Sequence, residues 1–199
     1  MSKSALTLPK LRFKGFDGEL IKKSIKDVSK FIRGKKPKPL ENYVSKNFNL
    51  PWIKISDIKE KYLLKTETFF NESFSDLTLV VKENSLLYTI EGSPCIPFFV
   101  RMFSAIDNHI ALISIQEKEL NLDFYYYFLL KNKRNFEKFI TGSTLLSISL
   151  SDISNLPIYI PSLPEQQKIA HFFSLLDKQI QLWERKLELY PPCFKKSFI

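Results

Sequence analysis

The sequence predicts an α+β protein: a globular domain on a mainly β sheet with flanking helices, then one long C-terminal helix. Three observations carry this. Short runs rich in β-branched and aromatic residues crowd residues 50–115. The apolar period becomes helical from Asn121 to Phe139. From Ile169 onward, apolar residues recur at steps of 4 and 3. A chain of 199 residues that is 44% hydrophobic, with 18 Phe, has ample material for a packed core.

In chain order, residues 7–16 read as an extended lead-in punctuated by Pro9 and Gly15. Leu20, Ile21, Ile25, Val28, Phe31 and Ile32 fit a helix over 20–32, and equally a short helix followed by a strand. Arg33-Gly34-Lys35-Lys36-Pro37-Lys38-Pro39 is a basic loop, because its Gly and two Pro forbid regular structure. Pro51–Ile58 alternates apolar and polar positions, predicting a strand that ends near Asp57. Further strands are predicted at Leu77–Val81, Leu86–Ile90, Ile96–Val100 and Ile110–Ile115, giving a sheet of eight strands or fewer. Asn121–Phe139 is predicted helical, with Leu122, Tyr125, Tyr126, Leu129, Leu130, Phe136 and Phe139 on one face, before Gly142 breaks it. Pro157, Pro161 and Pro164 mark a hinge to the last element.

That element runs from Leu163 to Tyr190. Ser162 stands three residues before Glu165 in a capping-box arrangement, with Pro164 in the first turn, and Pro191-Pro192 ends it. At 1.5 Å per residue it would be a rod of about 42 Å. Ile169, Phe173, Leu176, Ile180, Trp183, Leu187 and Tyr190 form the seam of a left-handed coiled coil that needs a partner; the plainer alternative is an amphipathic helix lying on its own domain.

The net charge of +9 is unevenly placed. Residues 1–66 hold 17 Lys and Arg against 6 Asp and Glu, and the remainder 13 against 15. A basic region concentrated in this way suits a phosphate backbone, though a solvated lysine-rich surface would also account for it. No run approaches the 18 apolar residues a bilayer crossing needs, and Met1–Ala5 lacks a signal peptide's apolar block, so a cytoplasmic location is expected. Cys95 and Cys193 lack metal-ligand company, and His109 and His171 stand apart from other ligand types, so free thiols and no metal site are expected. No Gly-rich nucleotide loop, P-loop or Asn-Pro-Pro-aromatic motif is present, so neither a catalytic residue nor a cofactor is expected. Glu184-Arg185-Lys186 has a Glu-x-Lys spacing found in nucleases, but on a helix without an acidic companion it reads as a surface charge pair.

The stretch Leu156-Pro157-Ile158-Tyr159-Ile160-Pro161-Ser162-Leu163-Pro164-Glu165-Gln166-Gln167-Lys168-Ile169-Ala170, with Phe172–Asp177 and Glu184–Glu188 behind it, resembles the conserved region of type I restriction-modification specificity subunits. Pro9–Phe16 and the Trp52–Ile58 strand, after a basic Gly-Lys loop and Tyr43, look like the start of that family's target-recognition domain. The resemblance covers nearly the whole chain. It implies a non-catalytic subunit that chooses the DNA sequence for a larger enzyme, typically with two recognition domains separated by an antiparallel helix pair that docks methyltransferase subunits and, through them, the restriction subunit. This sequence has room for one recognition domain, 1–161, one spacer helix, 162–190, and a short basic tail, 191–199. On that plan it is half a specificity subunit, expected to pair with itself and to read an interrupted palindrome. The alternative is a coiled-coil regulator or decayed fragment without sequence-specific DNA binding.

For contact with double-stranded DNA the candidates are Arg33, Lys35, Lys36 and Lys38 on the basic loop, then Lys54, Lys59 and Arg101. Arg33 and Arg101 are the candidates for guanine, because a guanidinium can bond O6 and N7 together. Thr141, Ser143 and Thr144 around Gly142 could donate to phosphate or bases, or simply cap a helix and turn.

Overall fold

The computed structural model describes residues 12–189. In chain order these form β1 (Ile21–Ser24), a one-turn α1 (Ile25–Val28), β2 (Ser29–Arg33), β3 (Val44–Ser45), β4 (Leu50–Ile53), β5 (Tyr62–Leu63), β6 (Phe69–Phe70), β7 (Leu79–Val81), β8 (Leu86–Thr89), β9 (Pro97–Val100), β10 (Ser104–Ile106) and β11 (Ile110–Ile115). There follow α2 (Leu122–Lys131), α3 (Lys133–Phe136), β12 (Ile140–Thr141), β13 (Ser147–Ile148), α4 (Leu150–Ser154), β14 (Pro157–Ile160) and α5 (Leu163–Leu189). The α+β class and the long terminal helix are as the sequence predicts.

The single predicted sheet is in fact two. One has the order β3-β6-β4-β10-β7 and the other β2-β11-β8-β9-β5, each with one parallel pairing, β4 with β10 and β5 with β9. They face each other across Ile53, Leu63, Val81, Leu87, Phe98, Val100, Ile106 and Ile110. The second sheet is covered on its other side as well, where Leu86, Tyr88, Phe99, Ala111 and Ile113 meet Tyr125, Tyr126, Leu129 and Phe136 of α2 and α3. Burial on both faces explains why β8 and β9 read as unbroken apolar runs instead of alternating. The first sheet carries Leu50, Trp52, Phe70 and Ala105 on its outer side, with the Trp52 and Phe70 rings stacked 5.2 Å apart.

Several boundaries differ from the sequence reading. The 20–32 stretch divides into β1, α1 and β2, because Ile25 and Val28 are both fully buried one turn apart while β2 joins the edge of β11. The 51–58 strand stops at Ile53, where Asp57 turns back to accept a hydrogen bond from the Lys54 N–H at 2.9 Å. The 121–139 helix breaks at Asn132, whose side chain donates to the Phe128 carbonyl at 2.8 Å. Pro157 does not open a hinge: Pro157–Ile160 is β14, paired antiparallel with β1 in the register Ile21 to Ile160. The turn after Phe139 is no helix cap either, since β12 and β13 form a hairpin through Gly142 at φ +97. The Leu145 carbonyl lies 2.2 Å from where a Cβ on Gly142 would stand, so the turn requires glycine.

Candidate nucleic-acid and partner interface

α5 is 27 residues long and buries only Glu165, Gln166 and Ala170. Two of those three are polar, at 2% and 1% exposure, so each must be satisfied where it sits. The Glu165 carboxylate takes both arms of Arg12, Nε at 2.8 Å and Nη2 at 2.5 Å. That bond raises the Arg12 pKa, and it replaces the predicted capping box, whose Glu165 was expected to turn toward Ser162. Gln166 Oε1 accepts from the Asn121 N–H at 2.7 Å, and its Nε2 donates to the Glu119 and Pro161 carbonyls, both at 2.9 Å. Asn121 in turn caps α2 by accepting from the Phe124 N–H. The Pro-Glu-Gln triplet is therefore the joint between domain and helix.

A second tie lies three turns farther along. Tyr127 on α2 donates its hydroxyl to Asp177 at 2.6 Å, and its ring packs 5.2 Å from that of Phe173. Burial, then the bond to Asp177, pushes the Tyr127 phenol pKa far up, so it remains a donor at every working pH. Lys61, only 9% exposed, donates to the same hydroxyl at 3.1 Å and to Asp123 at 2.9 Å, amid the rings of Tyr62, Phe99, Tyr126 and Tyr127.

The predicted seam is thus split. Ile169 packs against the domain core, and Phe173, still 39% exposed, packs one side against Tyr127, so the base of the expected seam also meets its own domain. Leu176, Ile180, Trp183 and Leu187 are exposed, as are Leu175, Leu182 and Leu189 on an adjoining stripe. Tyr190 lies outside the described residues. Glu184 forms no pair with Lys186, whose ammonium lies over the Trp183 ring at 5.1 Å.

The candidate DNA residues fall into two groups. Gly34 N–H donates to the Ile110 carbonyl at 2.8 Å, and a Cβ on Gly34 would lie 2.2 Å from the Asp107 carbonyl oxygen, so only glycine lets the basic loop press this close to the β10–β11 turn. Lys35 and Lys38 are exposed and their ammonium groups have no partner among the described residues, while Lys36 stands 3.9 Å from Asp107. Arg33 ends β2 and bonds the Glu91 carboxylate through Nη2 and the Asn108 carbonyl through Nε at 2.8 Å. Glu91 and Gly92 also hold the β12–β13 hairpin, by a bridge to Ser147 and a 2.8 Å bond to the Leu146 carbonyl. Arg33, at the start of the basic loop, is thereby linked through Glu91 to the hairpin that carries exposed Thr141, Ser143 and Thr144. Lys54 borders this group, because Ile55 beside it packs under Gly92.

Arg101 follows β9 and its backbone N–H bonds the Leu63 carbonyl of β5, and Lys59 precedes β5, the edge strand four steps and about 19 Å from β2. The Arg101 guanidinium lies 4.2 Å over the Tyr62 ring and bonds Asn84 through Nη1, leaving Nε and Nη2 open. Exposed Leu64 and Phe103 flank it.

Lys61 and Tyr127 were not singled out in the sequence, and Arg12, Asn121, Glu165, Gln166 and Asp177 were not read there as parts of a joint between domain and helix. The only signal for them was an acid and an amide in the first turn of a helix bounded by prolines, which looks the same whether they face water or a joint. Among the described residues no three His, Cys, Asp or Glu side chains gather as metal ligands, and no helix is long and apolar enough to cross a membrane. Cys95 is buried; Cys193 lies outside the described residues.

Residues 19–189 match the family described as the type I restriction modification DNA specificity domain. The type I restriction enzyme MjaVIII specificity subunit of Methanocaldococcus jannaschii is 25% identical over 179 residues, 87% of this chain and 39% of that protein. The fold is shared with the HsdS subunit of Thermoanaerobacter tengcongensis, at a TM-score of 0.68 and 15% identity over 90% of this chain and 42% of that one. It is shared also with a type I restriction-modification S subunit from M. genitalium, at 0.62 and 17% over 92% and 45%. The chain spans less than half the length of each of these relatives.

Proposed function

Because this chain belongs to the type I restriction-modification DNA specificity family, we propose that it reads one half of a bipartite DNA site for methyltransferase subunits, as a dimer of two copies joined through α5. In this reading residues 1–161 are the target-recognition domain, 162–190 the spacer helix and 191–199 a basic tail. The observation that carries it is the far half of α5: a helix fixed to a domain at its base leaves Leu176, Ile180, Trp183 and Leu187 uncovered at coiled-coil spacing. Two such helices packed antiparallel would relate the two domains by a two-fold axis, so the site read would be an interrupted palindrome.

The loop cations Lys35, Lys36 and Lys38, with Lys54 and Lys59, would follow phosphates, and Thr141, Ser143 and Thr144 would add hydroxyl contacts. Arg101 is the better guanine reader of the two arginines. Tyr62 and Asn84 hold it in place while one edge of its fork stays open, whereas Arg33 already uses Nε and Nη2 within the protein. Chemistry would come from methyltransferase subunits docked on the helices, with a restriction subunit recruited through them.

The test is the mass of the purified chain in solution, alone and with an adenine methyltransferase subunit, followed by selection from a library of split symmetric DNA. A dimer that binds the methyltransferase and enriches one split sequence is the expected result. A monomer that ignores both would favour a regulatory or decayed fragment.

A further inference from the structure

α5 is tied to the domain at two levels, through Arg12–Glu165 and Gln166 at its base and through Tyr127–Asp177 farther along. We infer that Tyr127 and Asp177 are positioning residues that fix the angle of the rod, and thereby the number of base pairs allowed between the two halves of the DNA site. This rests on the bipartite reading above.

Two ties spaced along a rod limit its tilt by leverage. Gln166 and Asp177 are eleven residues apart, about 17 Å along the helix. Ordinary hydrogen bonds vary in length by about 0.5 Å, so over that span the rod can tilt by roughly 1.7°. Between Glu165 and Leu189, about 36 Å, that tilt moves the far end by about 1.1 Å. Two copies together contribute about 2 Å, less than the 3.4 Å rise of one base pair. One gap length is then admitted. Without the Asp177 tie, the fully buried hold shrinks to Glu165–Ala170, about 7.5 Å, with only the ring contacts of the part-exposed Phe172 and Phe173 beyond it, and the same slack moves each far end by about 2.4 Å. Two copies then reach nearly 5 Å, more than one base-pair step, and adjacent gaps become accessible. A single hydroxyl–carboxylate bond thus separates a one-gap reader from a tolerant one.

The sequence is suited to the task. Tyr127 also receives Lys61, so its lone pair is occupied and its proton is directed to Asp177. Phe173 packs on the same ring, which would hold the helix near the domain if the hydroxyl were removed but supplies no directional bond.

The experiment compares the full chain with Tyr127→Phe and Asp177→Ala in selection from a library that varies half-site sequence and gap length independently. Thermal unfolding of each variant is measured alongside. Tyr127→Phe keeps the ring, so folding is expected to persist, and Asp177→Ala removes the acceptor from the other side. The expected result is an unchanged half-site sequence with the gap broadened from one length to that length and its neighbours one base pair either side. Variants that keep the single gap would overturn the inference. So would variants that lose the half-site sequence itself, because Tyr127 would then support the reading surface and not the angle. A parent chain that enriches a single half-site and no gap would refute the bipartite reading, and this inference with it.

Discussion

Arg33 and Arg101 carry the same guanidinium in opposite circumstances. Glu91 is 58 residues from Arg33 in sequence, and nothing local in a basic loop announces that tie. The Tyr62 platform under Arg101 arises from parallel pairing of β5 with β9, equally invisible in one dimension. Arg101→Ala is expected to relax preference at one base pair, costing about 1–3 kcal/mol on the preferred site and little on others; loss of affinity uniform across sequences would make it a phosphate contact. Replacing Lys35, Lys36 and Lys38 with Glu should flatten the salt dependence of DNA binding, reducing the log–log slope by about 2–3 if all three meet phosphates. An unchanged slope would move the DNA surface elsewhere. Cys95 offers a check on the fold: burial raises its thiol pKa from 9.0 to about 11. A raised thiol pKa stabilises the fold fully below about pH 9, and that contribution fades as pH climbs from 9 toward 11. In a Cys193→Ser chain the Cys95 thiol should stay unreactive to a disulfide reagent at pH 8 until the chain unfolds; rapid labelling of that native protein would contradict the buried position.

At the level of elements, four of the predicted strands, β7, β8, β9 and β11, were legible because β-branched and aromatic runs persist over three to six residues. β3, β5 and β6 have two residues each, too short for any period, and the three-residue β10, also unpredicted, is what joins β4 to β7 in a separate sheet. α5 was legible in extent, since its heptads are strong, but its base was misread, because a seam says which face is apolar and not which apolar body meets it. Leu176→Asp with Ile180→Asp should abolish self-association while leaving the domain's melting temperature within about 2 °C, as both side chains are exposed in the single chain. Light scattering that still reports the parent oligomer would discard the helix as the interface. Gln166→Leu strands the Asn121 N–H and the Glu119 and Pro161 carbonyls, and is expected to cost about 2–4 kcal/mol in denaturant unfolding.

For the molecule as a whole, the second sheet is the shared wall of two cores: Leu86 and Tyr88 face the helices, and Leu87 between them faces the other sheet. Neither core can loosen alone. Leu87→Ala should therefore cost about 2–5 kcal/mol and lower backbone and aromatic circular dichroism transitions together. Separate transitions would show that the layers are independent. The pairing of β1 with β14 reaches further. Residues 21–24 and 157–160 lie side by side, so the polypeptide enters and leaves its globular part through one doorway about 5 Å wide. Arg12, upstream of that doorway, already belongs with the helix through Glu165. A foreign domain with the same closely spaced ends, grafted between these two strands, would leave Arg12–Glu165 standing but would have to bring its own counterparts of Asn121 and Tyr127 to seat the rod, so the globular part is exchangeable only together with the helix that carries them.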